Sequence, residues 1–243
     1  MPFIYRKYGK TVEITEIEKT PLPVRVFASR ERRTVYGARR EDNIRRTKKI
    51  CMWRVSAALE EFGPGLLLTL TFAGDASDAA HANDSLRRFQ VRLRSKYPQA
   101  QSIFVPELSP RGRIHFHGLL FNVPLSLGDT RARGRIISHG EERATRELAN
   151  LWGEGFVDAL KTDDSGRLAH YISKYITKGG SQVMFNAMRI LRISHGFPKE
   201  LTIRGDFAKY LALRYSGKQP VREWEMENQF LGKITRKIYD GPL

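Results

Sequence analysis

The sequence predicts an α+β fold, a central antiparallel sheet flanked by helices, on three observations. "LLLTLTF" (66–72) alternates apolar residues with threonines, as a half-buried strand does. "QSIFVPEL" (101–108) and "RIHFHGLLF" (113–121) flank the turn signal "SPRG" and read as a hairpin. "NDSLRRFQVRLRSKYP" (83–98) places Leu86, Phe89, Leu93 and Tyr97 at helical spacing. The order βα-ββ-αβα suits a sheet backed by helices.

Each element has its own reason. Residues 1 to about 40 are the least periodic part, and "TPLPVRV" reads as extended because Pro21 and Pro23 disfavour helix. Asp42 caps an expected helix whose apolar stripe is Ile44, Cys51, Val55, Leu59 and Phe62. In "LLLTLTF", Leu68, Leu70 and Phe72 face the core, with Thr69 and Thr71 on the other face. A polar, basic loop spans roughly 124–141, and "HGEERATRELANLW" (139–152) reads as helix. "GEGFVDALKTD" (153–163) is a turn and strand. "GRLAHYISKYITKGG" (166–180) is a helix closed by Gly179 and Gly180. Helices and loops are expected beyond 181.

Charge narrows the function. The chain has 243 residues with 42 Lys+Arg against 26 Asp+Glu, a net charge of +16 that draws polyanions and fits nucleic acid or an acidic membrane surface best. Between Arg30 and Arg54 ten basic residues face three acidic ones, a phosphate-tracking face or a solvated helix surface. Arg45, Arg46 and Lys49 lie in that run, and Arg87, Arg88, Arg92 and Arg94 crowd the outer face of the 83–98 helix. With Arg113 of the hairpin they are the candidate DNA contacts. No apolar run approaches the roughly 20 residues that span a bilayer, so no membrane partner is expected. "MPFIYRKYGK" has no apolar signal-peptide core. The single cysteine, Cys51, excludes an internal disulfide or a cysteine-built zinc site.

Two constellations carry chemistry. Strand side chains alternate, so Arg113, His115 and His117 share one face while Ile114, Phe116 and Leu120 share the other. An HxH pair alone is either a wet surface or a metal site. Glu107 sits across the hairpin from His115 if the chain turns at Ser109–Gly112, which brings two imidazoles and one carboxylate together. Such a donor set suits Mn, Mg, Co or Zn, and an open site of this kind polarises a phosphoryl oxygen. The second constellation is "HYISKYITK" (170–178): Tyr171 with Lys174, then Tyr175 with Lys178, presented on one helical face with Ile172 and Ile176 toward the core. A phenol near pKa 10 is a poor nucleophile unless a metal, base or ammonium group lowers the cost of the phenolate. The plain alternative is an amphipathic helix with half-buried tyrosines.

Together these segments resemble the HUH endonuclease superfamily, and more closely the rolling-circle replication initiators of microvirus-type single-stranded DNA phages. "LLLTLTF" looks like that family's first strand motif, "VPELSPRGRIHFHGLLF" like its carboxylate-plus-HUH motif, and "HYISKYITKG" like its two-tyrosine YxxK motif. "LWGEGFVDA" is similar to the segment before the tyrosine helix. The resemblance covers roughly 64–180 and implies a ferredoxin- or RRM-like sheet. It implies His115, His117 and Glu107 as ligands of Mg2+ or Mn2+, Tyr171 and Tyr175 as nucleophiles, and Lys174 and Lys178 as their helpers. The implied activity is that of a replication initiator: nicking and rejoining single-stranded DNA at an origin hairpin or nick site through a 5′-phosphotyrosine, in the cytoplasm of a bacterial host. No G-x-x-x-x-G-K-[ST] motif occurs, so unwinding is expected from a host helicase and synthesis from a host DNA polymerase. The expected organisation is a basic N-terminal extension and helix (1–60), the catalytic core (61–182) and a C-terminal helical extension (183–243) packed on the same domain. The rivals are an HUH enzyme of a plasmid or mobile element, such as a transposase or relaxase, and a non-catalytic RRM-like binder. The binder would need base-stacking aromatics on the open sheet face.

Overall fold

The structure is a computed structural model that describes residues 2–19, 41–74, 77–124, 139–162, 168–169, 171–174 and 189–241, with the side chains of 41–43 and 139–145 left aside. Tyr175, Lys178, Ile176, the "TPLPVRV" segment, most of the 124–141 loop and the Gly179–Gly180 helix end lie outside the described residues. The fold is α+β, with two antiparallel five-stranded sheets. The chain divides into two compact units, one of residues 36–198 and one joining 1–35 to 199–243.

In the 36–198 unit the elements are α1 (Glu41–Phe62), β3 (Leu66–Phe72), α2 (Ala79–Lys96), β4 (Gln101–Leu108), β5 (Ile114–Phe121), α3 (His139–Trp152), β6 (Gly155–Lys161) and β7 (Arg192–Ile193). The sheet order is β6-β3-β5-β4-β7, every pair antiparallel. The strands expected at 66–72, 101–108 and 113–121 are present to within one residue. Two-residue alternation splits the sheet between two cores. On one face Leu68, Leu70, Ile114, Phe116 and Leu120 pack under Leu86, Phe89 and Leu93 of α2 and Leu148 and Trp152 of α3. On the other, Ile103, Val105, Leu119 and Phe121 pack under Cys51, Val55 and Ala58 of α1 and under Leu168, Ala169 and Ile172. Burial pushes the Cys51 thiol up to about 12, so it fills space rather than reacting. Asp42 lies inside the first turn of α1 rather than ahead of it.

The hairpin that carries the histidines is pinned at its turn. Ser109 N–H donates to Arg113 O at 2.8 Å, and Gly112 N–H donates to Ser109 O at 2.9 Å. Gly112 has φ +77°, a left-handed conformation that glycine adopts at little cost. The resulting register pairs Glu107 with His115 and Val105 with His117.

The other unit differs from the expectation of helices and loops beyond 181. Its described residues are mostly strand: β1 (Phe3–Tyr8), β2 (Thr11–Ile17), β8 (Leu201–Arg204), β9 (Arg222–Asn228) and β10 (Gly232–Asp240), with one helix, α4 (Asp206–Leu213). The order β8-β1-β2-β10-β9 weaves the two ends of the chain into one sheet. Tyr5, Val12, Ile14, Ala208, Tyr215 and Tyr239 form its core. The β1–β2 hairpin turns at Gly9–Lys10, in the stretch read as least periodic. Charge hides the pattern there: Glu13 is only 5% exposed, held by Arg6 Nη1 at 2.8 Å and approached by Arg236 Nε at 3.6 Å. A buried charge paired in this way is tolerable, but in a sequence it breaks the apolar alternation of a strand.

Candidate metal and nucleophile site

Three strands contribute one row of polar side chains to the sheet face that α1, Leu168, Ala169 and Ile172 also cover. Register places Thr71 beside His115 and Thr69 beside His117, while β4 brings Glu107 opposite His115. The odd positions of β5 begin as histidine and end as Leu119 and Phe121, so one face runs from a polar end into a core. Placing imidazoles at the end of an apolar face removes much of their water without burying them fully.

Each ring is anchored at Nδ1. Thr71 Oγ1 lies 3.1 Å from His115 Nδ1, and Thr69 Oγ1 lies 3.3 Å from His117 Nδ1. If His115 Nδ1–H donates to the Thr71 hydroxyl, His115 Nε2 keeps its lone pair, which is the tautomer a metal ligand needs; His117 Nε2 instead carries the proton that it donates to Glu107, and a bound metal would take that proton's place. His117 Nε2 is 2.6 Å from Glu107 Oε2, a diagonal contact across the ladder. The His115 pKa is lowered first by burial, with the Arg113 charge adding to the shift and the Glu107 charge opposing it. That keeps the imidazole neutral, as a ligand must be. Among the described residues no three His, Cys, Asp or Glu side chains are drawn into a finished metal cage. The donor set nevertheless suits a divalent ion: two imidazole nitrogens oriented from behind and one carboxylate.

Tyr171 and Lys174 are helical and exposed, three residues apart, while Ile172 and Ser173 between them are buried. Ile172 packs with Val105 and Leu119, so this segment belongs to the histidine side of the sheet. Tyr171 is 40% exposed, accessible to a ligand.

The candidate DNA contacts separate by face. Arg45, Arg46 and Lys49 are exposed on α1, which covers the histidine face, and Arg113 is exposed beside His115. The α2 arginines lie on the opposite face, and Arg87, Arg88 and Arg92 have structural partners. Arg92 donates to the α3 carbonyls Leu151 O (2.6 Å) and Trp152 O (2.5 Å), closing that helix. Arg88 bonds Ser85 and Glu154, and Arg87 lies 3.5 Å from Asp84. Arg94 is exposed on the same helix. Two roles were missed in the sequence. The two-residue period puts Thr69 and Thr71 on one sheet face with Glu107, His115 and His117, but it does not reveal that each hydroxyl meets an imidazole Nδ1. Phe156, a β6 residue on this same face, stood only inside a turn-and-strand segment.

Residues 65–180 match the model of a family described as replication-associated protein ORF2/G2P. The matched stretch holds β3, the histidine hairpin, β6 and the tyrosine segment, and it supports a replication initiator that acts on DNA. No curated protein and no solved structure matches the chain. Among the described residues no helix is long and apolar enough to cross a membrane.

Proposed function

We propose that the chain is a site-specific single-strand DNA endonuclease and ligase that starts and ends rolling-circle replication. The observation that carries this reading is the shared face: Glu107, His115 and His117 lie on the side of the sheet against which the Tyr171 segment packs. The match of 65–180 to a replication-associated family supports it.

Mg2+ or Mn2+ bound by His115, His117 and Glu107 would polarise the scissile phosphate and stabilise the charge that develops on it. The chain's own residues do the rest. Thr69 and Thr71 hold the rings so that both Nε2 atoms face the phosphate side. A phenol of Tyr171 or Tyr175 loses its proton and attacks phosphorus; the bond to the 3′ oxygen breaks, and that oxygen takes a proton. The 5′ phosphate stays on tyrosine and the 3′ hydroxyl primes synthesis. Reversal by a 3′ hydroxyl reseals the strand without ATP, since the phosphotyrosine conserves the energy of the broken bond. Lys174 and Lys178 would supply ammonium charge that stabilises the attacked phosphate. A second tyrosine allows a new cut while the first link is resolved. Arg45, Arg46, Lys49 and Arg113 track phosphates, and a host helicase and polymerase open and copy the duplex in the bacterial cytoplasm.

The test is incubation with a pool of single-stranded oligonucleotides and Mn2+, followed by a denaturing gel. A protein band carrying DNA is the expected result. Absence of both cleavage and linkage with every divalent ion would remove the enzyme reading.

A further inference from the structure

The histidine face of the sheet does not end at β3. The ladder continues to β6, the edge strand, where Phe156 pairs with Thr71, Asp158 with Thr69 and Leu160 with Leu67. One row therefore reads Phe156, Thr71, His115, Glu107 across four strands. Phe156 stands two strand spacings, about 10 Å, from His115 on the same face. The ring is 70% exposed, and Leu160 two positions further on its face is 45% exposed.

Close approach of β6 to β3 depends on Gly155. Its φ is +151°, and a Cβ there would collide with the backbone of Thr71 and Ala73. The chain thus brings β6 tightly into the sheet and then leaves a large aromatic ring in water at the level of the candidate site. An exposed phenylalanine is costly to hydrate and contributes nothing to either core.

The chemistry of the strip selects its occupant. Asp158, exposed between Phe156 and Leu160, repels phosphates, so a nucleic acid lying here turns its bases toward the strand and its backbone away. Bases stack on aromatic faces whatever their identity, and the net charge of +16 supplies the general attraction. We infer that Phe156 is a stacking platform for an unpaired base of the DNA strand that crosses β6 to reach Glu107, His115 and His117. The inference rests on the single-strand DNA reading above and adds a positioning residue to it: a base fixed on β6 sets which phosphate arrives at the histidines.

The experiment is fluorescence anisotropy of the full chain with labelled oligothymidylate and oligodeoxycytidylate in EDTA, across a salt series. Phe156→Ala should weaken binding about tenfold with the salt slope unchanged, because stacking is lost and phosphate contacts are kept. Phe156→Trp should bind at least as tightly as the parent, and Phe156→Leu should resemble alanine. Equal affinity of the alanine variant and the parent, or full affinity in the leucine variant, would overturn the platform while leaving the nuclease reading intact. A parent chain that binds neither oligonucleotide would overturn both. A site so exposed tolerates these changes, and matching melting curves would establish that the variants are folded.

Discussion

Glu107 Oε2 meets His117 Nε2 at 2.6 Å, although the residue paired with Glu107 across the ladder is His115. The carboxylate leans diagonally toward His117, past its ladder partner. Removing His117 therefore removes a donor and leaves Glu107 without that contact. His117→Ala should lower single-strand cleavage by about a thousandfold or more, the scale of losing several kcal/mol of transition-state stabilisation. Oligonucleotide affinity in EDTA should stay within about twofold, since phosphate contacts supply most of it. Cleavage assays beside anisotropy measure the two separately; parental cleavage by the variant would exclude His117 from the chemistry.

Thr71→Val keeps the shape of the β3 side chain and deletes the hydroxyl on His115 Nδ1. Loss of such a partner typically costs 10–100-fold in metal affinity. Titration with Mn2+, followed by electron spin resonance of the free ion, should show weakening of about that size. Unchanged Mn2+ affinity would mean that the hydroxyl does not orient the ligand.

His115 also sets a pH dependence. Its folded pKa lies below the ordinary 6.5, chiefly through burial. Between the folded and unfolded values the unfolded chain binds more protons, so stability rises with pH through that window. The contribution is present in full above about 6.5 and is lost as pH falls through the folded pKa. Melting temperatures of the metal-free protein should decline on acidification below that point, and His115→Gln should flatten the decline. An imidazole titrating above 6.5 by NMR in EDTA would reverse the sign and contradict the burial argument.

Arg92 and Arg46 make opposite predictions from the same residue type. Arg92 closes α3 through Leu151 O and Trp152 O, on the face away from the histidines. Arg92→Ala should cost roughly 1–3 kcal/mol of stability, measurable by urea unfolding, and leave DNA affinity intact. Arg46, exposed on α1, should show the converse: little change in stability and a salt slope reduced by about 1. A weakened DNA affinity in folded Arg92→Ala would place nucleic acid on the α2 side.

That contrast also marks what a reader of the sequence can and cannot see. Periodicity assigns Leu68, Leu70 and Phe72 to one face and His115 and His117 to the other, because local alternation decides those positions. It does not tell a guanidinium that caps a helix about 60 residues away from one that meets phosphate, since Arg92 and Arg94 are two of several arginines on one basic helix. The sheet of β8, β1, β2, β10 and β9 is hidden for another reason. Glu223 and Glu225 on β9 pair with Lys237 and Lys233 on β10, so the strands read as solvated charge. The β1–β8 and β2–β10 ladders join residues about 200 apart, beyond any local pattern.

The tyrosines give the last prediction. Tyr171 is exposed on the histidine side of the sheet with Lys174 one turn on, while Tyr175 follows four residues later, outside the described residues. On a continuous helix that interval puts both phenols on one face. Single-round cleavage should then survive in part in Tyr171→Phe and in Tyr175→Phe, and vanish in the double variant, where no phenol remains to form the link. If only one phenol reaches phosphorus, one single variant will be inactive and the other near normal. Tyr175 is then the expected nucleophile, with Lys174 beside it and Lys178 ahead. Mass spectrometry of the trapped adduct reads the answer directly. A 5′ phosphate carried by any residue other than Tyr171 or Tyr175 would overturn the mechanism, whichever variant retained activity.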